Sequence, residues 1–207
     1  MRTFMKVIGH RVMKKIIATS LLGLLLAAGG LRADPEQAIF AGGCFWCMEA
    51  DFEKQTGVLS AVSGYTGGHL ENPDYKQVTQ GNTGHYEAVL VRYDPAQVSY
   101  TELLTVFWRN IDPLDDRGQF CDKGSSYRSA IFATPGTQTH AAEASKAKAQ
   151  LALGAEREIV TPVLATSQFY PAEDYHQGYY KKNPLRYQYY RRGCGRDQRL
   201  QQLWGTP

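Results

Sequence analysis

Gly42 and Gly43 separate a short apolar run, Ala38-Ile39-Phe40-Ala41, from a stretch running Cys44 to Gln55 that contains neither glycine nor proline. Such a junction predicts a buried strand that leaves through a tight turn directly into a helix. Within Cys44 to Gln55 the apolar Phe45, Met48 and Phe52 recur at helical spacing, and the acidic Glu49, Asp51 and Glu53 fall between them. The first thiol therefore stands at a helix N-terminus. Unpaired N–H groups and the positive end of the helix dipole favour a thiolate there, and thiol pKa values can fall from ~8.5 into the range ~3.5–7.5. A lowered Cys44 pKa is the expectation. Cys47 follows three positions later on the same helical face. A lone cysteine is usually a small buried hydrophobe, but two thiols flanking Phe45-Trp46 after a glycine turn predict redox chemistry beside an apolar pocket.

The start of the chain predicts where that chemistry takes place. Arg2, Lys6, Arg11, Lys14 and Lys15 precede a mostly apolar stretch from Ile16 to Leu31, and the first acidic residue is Asp34. This is the order of an export signal, with cleavage expected after Leu31-Arg32-Ala33, so that residues 1–33 are leader and 34–207 a single domain. The apolar stretch is shorter than the ~20 residues that span a bilayer. An uncleaved anchor holding the domain outside the membrane is the alternative, and Met13 could start a compact signal by itself. Residues 1–33 carry six Lys or Arg and no acid, so without them the formal charge turns from +3 to −3. The basic balance belongs to the leader, which leaves no basic stripe of the kind nucleic-acid binding needs.

Four cysteines, Cys44, Cys47, Cys121 and Cys194, could make two disulfides. A domain of this length buries enough surface to fold without them, so redox work explains them better than a structural framework. Zinc would want a second Cys-x-x-Cys pair, and the chain has only one. No bound metal is expected.

Strand and helix patterns alternate through the rest of the domain. Strands are predicted at Val58 to Ser63, His85 to Tyr93, Tyr127 to Ala133 and Glu158 to Ala165. Helices are predicted after a Ser99 cap through Trp108, from Pro135 at a first helical position to Leu153, and near Arg196 to Trp204. The order β-α-β-β-α-β-α-β begins with the split βαβ pattern of ferredoxin-like sheets. The expectation is an α+β sandwich with a mainly antiparallel mixed sheet and an irregular, tyrosine-rich C-terminal extension after Thr166. Nothing in the pattern suggests a coiled coil, and a monomer is expected.

Polar and aromatic residues concentrate in four places: Asn72-Pro73-Asp74-Tyr75, Gly81 to Glu87, Cys121 to Ser129, and Phe169 to Gln177. Each by itself could be turn chemistry or strand packing. Together with Gly43-Cys44-Phe45-Trp46 and Gly64-Tyr65-Thr66-Gly67-Gly68, the motifs Thr83-Gly84-His85-Tyr86-Glu87, Tyr127-Arg128-Ser129 and Phe169-Tyr170-Pro171-Ala172-Glu173-Asp174-Tyr175-His176-Gln177 closely resemble peptide methionine sulfoxide reductase of the A type. The resemblance covers roughly residues 37 to 205. It implies an α+β fold with a ferredoxin-like core and reduction of the S epimer of methionine sulfoxide, free or within oxidised proteins.

By that resemblance Cys44 is the nucleophile that attacks the sulfoxide sulfur, and Glu87 is the proton source. A sulfoxide is a poor electrophile until its oxygen is protonated or strongly hydrogen-bonded, so a carboxyl kept neutral by burial suits the chemistry. Tyr75 and Tyr127 correspond to hydroxyls that hold the oxygen, and Asp122 to a supporting polar group. Phe45 and Trp46 correspond to the apolar wall for the S-methyl group. Attack leaves a sulfenic acid, which a second thiol converts to an intramolecular disulfide. Cys194, in Gly193-Cys194-Gly195, matches the family's glycine-flanked resolving position. Cys47 is the alternative and departs from the family's simplest pattern, while Cys121 would be a third partner or a structural thiol. No cofactor is implied, and the final disulfide is expected to be reduced by a thioredoxin-like dithiol, here outside the cytoplasm in the periplasm.

Overall fold

The computed structural model describes residues 34–205, so the leader read at 1–33 lies outside the described residues. Strand β1 (Glu36–Gly42) turns through Gly43 and Cys44 into helix α1 (Phe45–Glu53), and β2 (Val58–Thr66) returns from it. A short helix α2 (Tyr75–Thr79) precedes β3 (Tyr86–Tyr93) and α3 (Tyr100–Arg109). Next come a small hairpin, β4 (Gly118–Gln119) and β5 (Asp122–Lys123), and a 3-10 turn at Ser125–Tyr127. They lead to β6 (Ser129–Ala133), α4 (Thr137–Leu153), β7 (Val163–Ala165) and β8 (Tyr170–Pro171). Three helices follow: α5 (Tyr179–Lys182), α6 (Pro184–Gly193) and α7 (Arg196–Trp204).

The main sheet runs in the order β7-β6-β1-β3-β2-β8. Its four inner strands, β6-β1-β3-β2, pair antiparallel and are joined as βαββαβ, which is the ferredoxin-like arrangement. Only β6 and β7 pair parallel, across the α4 connection. The mixed, mainly antiparallel sheet read from the sequence is thus present.

Alternation along β1 explains how one short strand serves two faces. Ala38 and Phe40 join the main core with α1 and α3, whereas Ile39 and Ala41 join a smaller cluster with Tyr86, Ala88 and Phe132 on the other face. Phe40 stacks on Phe52 of α1 at 4.9 Å and on Phe107 of α3 at 5.3 Å between ring centroids. Both glycines at the end of β1 are required by space. A Cβ on Gly42 would lie 2.5 Å from the Met48 sulfur, and Gly43 combines a φ of +79° with a Cβ position 2.5 Å from Gln119 Cβ.

Several element boundaries differ from the sequence pattern for local reasons. Ser99 does cap α3, accepting from the Glu102 N–H while the Glu102 carboxylate accepts from the Ser99 N–H. Pro135, however, does not open α4, because Gly136 takes a φ of +98° and the helix starts at Thr137. The strand expected from Glu158 shrinks to Val163–Ala165: Val160 N–H goes to the Pro113 carbonyl, and Pro162 has no N–H for the ladder. Tyr127 closes the 3-10 turn and does not begin β6. The largest correction concerns the C-terminal extension, which is irregular from residue 166 to 178 apart from β8 but helical over Tyr179–Lys182 and Pro184–Gly193. Pro184 sits in the first turn of α6, and Tyr179 and Tyr187 pack on Cys47 and Ala50 of α1. Those helices are held by tertiary contact more than by an apolar stripe of their own.

Candidate active site

The β1–α1 turn sets Cys44 as the N-cap of α1, with only 6% of its surface exposed. It faces a cavity of about 230 Å³ lined by Cys44, Phe45, Trp46, Tyr75, Glu87, Asp122, Tyr127 and Tyr190. Tyr75 comes from α2, Glu87 from β3, Asp122 from β5, Tyr127 from the 3-10 turn and Tyr190 from α6, so segments far apart in sequence meet at Cys44.

Glu87 sits on the inner strand β3, opposite Tyr65 of β2. It is 1% exposed and accepts a hydrogen bond of 3.0 Å from the backbone N–H of Phe45, so strand and helix N-terminus meet beside the thiol. Burial pushes its pKa up to about 8, against the Phe45 N–H, which favours the carboxylate. At neutral pH the carboxyl holds a proton. Burial also raises the Tyr75 and Tyr127 hydroxyls, which stay neutral and interact with each other. Three protonated oxygen acids thus line one cavity beside a sulfur.

Cys44 itself overturns the expectation of a depressed pKa. Its thiol is pushed well above the ordinary range by burial first, then by the neighbouring Cys47 and by the Glu87 charge. The helix N-terminus does not compensate for this loss of water, and the first N–H of α1, that of Phe45, is taken by Glu87. The thiolate-favouring position in α1 is Cys47. Its pKa is held down to about 7 by a hydrogen bond from Cys44 and by the guanidinium groups of Arg196 and Arg191, with burial opposing. Cys47 is 2% exposed and packs beneath the cavity against Tyr179 and Tyr187.

The aromatic wall is anchored from behind. Trp46 donates from Nε1 to His176 Nδ1 at 3.0 Å and stacks on Tyr179 at 3.7 Å, nearly parallel at 6°. His176 is buried between Phe45 at 4.9 Å and Tyr75 at 4.5 Å. Because its Nδ1 accepts, the ring carries its proton on Nε2 and is neutral, consistent with burial lowering its pKa. Glu173 ties the Tyr75 backbone N–H and the Tyr65 hydroxyl together, each at 2.9 Å.

The two remaining cysteines are joined in a disulfide, Cys121–Cys194. In this state Cys194, the expected resolving thiol, is not free, while Cys44 and Cys47 are. Cys121, Asp122 and Cys194 form the one group of close metal-ligating side chains among the described residues, and two of its three ligand atoms are spent on each other. The sequence motifs did not single out Tyr190, whose hydroxyl donates to Asp122 Oδ2 and contacts Cys44, or Arg196. Arg196 is 2% exposed, bonds the Gly42 and Asn110 carbonyls and the Met48 sulfur, and stacks over Phe120 at 4.5 Å. A fully buried arginine two positions beyond a cysteine has no sequence signature. His176 lay within the aromatic run and carried no residue-specific signal of its own.

Comparisons with known proteins identify the family. The peptide methionine sulfoxide reductase family matches residues 36–207. The chain is 51% identical over 194 residues to peptide methionine sulfoxide reductase MsrA 2 of Caulobacter vibrioides, covering 92% of this chain and 97% of the relative. It is 51% identical over 171 residues to the MsrA of Bacillus subtilis, covering 83% of this chain and 97% of the relative. Among solved structures, methionine sulfoxide reductase A of Corynebacterium diphtheriae superposes with a TM-score of 0.70 at 35% identity, covering 77% of this chain and 81% of that one.

Proposed function

Because this chain belongs to the peptide methionine sulfoxide reductase family, we propose that its cavity binds the methionine sulfoxide side chain with Cys44 as nucleophile and Glu87 as proton donor. The protein reduces methionine sulfoxide with thiol reducing equivalents and no bound cofactor. The observation that carries the residue assignment is the meeting, in one cavity, of a buried thiol, a carboxyl with a pKa of about 8 and two neutral phenols.

The S-methyl group rests against Phe45 and Trp46, where sulfur–aromatic contact is worth ~0.3–1.5 kcal/mol. The S epimer then turns its oxygen toward Tyr75, Tyr127 and Glu87. These groups hydrogen-bond the oxygen, and Glu87 supplies a proton as the S–O bond breaks and the Cys44 sulfur takes the oxygen. In net terms, thiol plus sulfoxide give sulfenic acid plus methionine. Asp122 supports the site by fixing Tyr190 over Cys44. The sulfenic acid condenses with a second thiol to give a disulfide and water. Cys194 serves that step only after its bond to Cys121 opens, whereas Cys47 already touches Cys44.

Tyr75→Phe and Tyr127→Phe test the oxygen site. Each is expected to lower the single-turnover rate of methionine release by ~10²-fold or more, in the range for loss of one preorganised donor. Unchanged rates in the double variant would remove the tyrosines from the mechanism.

The basic, apolar and acid-free leader supports export to the periplasm for repair of oxidised proteins, with reduction by a thioredoxin-like dithiol there. Protein recovered from the periplasm is expected to begin at Asp34. Retention of residues 1–33 in a membrane fraction would favour the anchor.

A further inference from the structure

The cavity at Cys44, about 230 Å³, is smaller than the ~300–1,000 Å³ sites that take drug-sized ligands. It admits one side chain. When the sulfoxide belongs to a polypeptide, the residues on either side of it must lie across the rim, and α6 forms part of that rim. Tyr190 lines the cavity, and Arg186, four residues earlier, shares its side of the helix and is exposed. Beside them Leu185 and Tyr189 make a second pair at the same spacing, 81% and 83% exposed. Tyr175 is exposed too, with its ring 4.2 Å from that of His176, which packs on the cavity-lining Tyr75. Among the described residues six large apolar side chains are exposed, and these are three of them. Exposed apolar residues scattered singly are ordinary, whereas a group of them at the edge of a site marks a contact surface.

The same helices carry a local exception to the acidic balance of the domain. Without the leader the formal charge is −3, yet residues 179–193 hold five Lys or Arg and no Asp or Glu. Two of the five are used within the fold, Lys181 on Glu53 and Arg191 on Asp51 and Asp197. Lys182, Arg186 and Arg192 are exposed and make no ion pair among the described residues. Lys182 donates to the Asp174 carbonyl at 2.6 Å, which ties the Tyr175 loop to α5.

We propose that the exposed face of α6, with Leu185 and Tyr189 flanked by Arg186 and Arg192, is a docking ridge for the polypeptide around an oxidised methionine, and that it selects segments in which acidic residues accompany apolar ones. This rests on the reductase reading and deepens it. The cavity recognises the sulfoxide, and the ridge discriminates among the chains that present one. Apolar side chains of the substrate cover Leu185 and Tyr189, while its carboxylates meet guanidinium groups that have no partner in the fold and can take a carboxylate on two N–H donors at once. A lysine-rich segment meets like charge at the same place. Such complementarity acts on encounter and register more than on the reacting atoms, so free methionine sulfoxide, too small to reach from the cavity across the ridge, does not feel it.

The test uses the 34–207 protein with dithiothreitol, a reductant that needs no docking surface. Its substrates are two peptides with the same central methionine S-sulfoxide, flanked on both sides by Glu and Leu in one and by Lys and Leu in the other, with free methionine S-sulfoxide as the reference. Wild type is expected to favour the acidic peptide in kcat/KM by roughly fivefold or more at low salt, mostly through KM, and the preference should shrink as added salt screens exposed charges. Arg186→Glu/Arg192→Glu should abolish or invert the ratio, and Leu185→Ser/Tyr189→Ser should lower kcat/KM for both peptides relative to the free sulfoxide. Equal kcat/KM for the two peptides with wild type would overturn the ridge, as would an unchanged ratio in the charge-reversed variant. A charge-reversed variant that keeps the peptide preference but is recycled more slowly by thioredoxin would give this face to the reductant and overturn it equally. Should a variant fail to fold, the wild-type ratio and its salt dependence decide alone. No methionine from the free sulfoxide with wild type would instead refute the reductase reading.

Discussion

Cys44→Ser is expected to abolish methionine release from the S-sulfoxide, in single turnover as well as in steady state, by ~10⁴-fold or more. A hydroxyl in that place keeps the shape of the cavity but cannot accept oxygen to become a sulfenic acid. The loss should persist at every reductant concentration, which separates the nucleophile from the recycling thiols. Purified Cys44→Ser protein mixed with one equivalent of sulfoxide, followed by chromatography of free methionine, decides it. Measurable turnover would mean that another sulfur, Cys47 foremost, performs the attack. Cys47 has the lower pKa of the two, so this outcome carries real information. Cys44 is nonetheless the thiol that lines the cavity, while Cys47 lies beneath it.

The second large effect is expected at Glu87. Glu87→Gln keeps a hydrogen-bond donor of the same size but has no proton to give, and general acid catalysis is typically worth ~10²–10⁴ in rate. Its pH signature is more specific than its magnitude. Burial raises the Glu87 pKa to about 8, so the acid form is filled below that pH and is lost as pH rises through it. The single-turnover rate should therefore carry a limb with an apparent pKa near 8 that falls toward alkaline pH. In Glu87→Gln that limb should vanish while the residual rate stays low. A limb unchanged in the variant would assign the titration to another group, with the Cys44 and Cys47 pair the natural suspect.

How much of this was legible before the tertiary structure depends on the range of the forces involved. The Gly42-Gly43 turn, the helix after it and the Ser99 capping box were readable because each is decided within a few residues. So was the order of elements that makes the ferredoxin-like core. The Cys44 ionisation differs from the sequence expectation for the complementary reason: a helix N-terminus is visible in sequence, but the burial that outweighs it, reinforced by Cys47 and the Glu87 charge, exists only in the folded chain. Likewise α5 and α6 looked irregular because their stability comes from packing Tyr179 and Tyr187 on Cys47 and Ala50, contacts more than a hundred residues apart.

The cysteines divide along the same line. Cys-x-x-Cys and the glycines around Cys194 mark thiols suited to redox work, and sequence resemblance supplied the expected order of their use. Only the fold brings Cys121 to Cys194 and sets Asp122 and Tyr190 between that pair and Cys44. The sequence by itself determined the strand-turn-helix that presents Cys44 and Phe45-Trp46, the cast of acidic and phenolic residues, and the topology of the inner sheet, since those follow from local pattern and motif. Tertiary structure decided which thiols are protonated, which are exposed and which are neighbours. Desolvation and through-space charge depend on what lies within a few ångströms, whatever its distance along the chain.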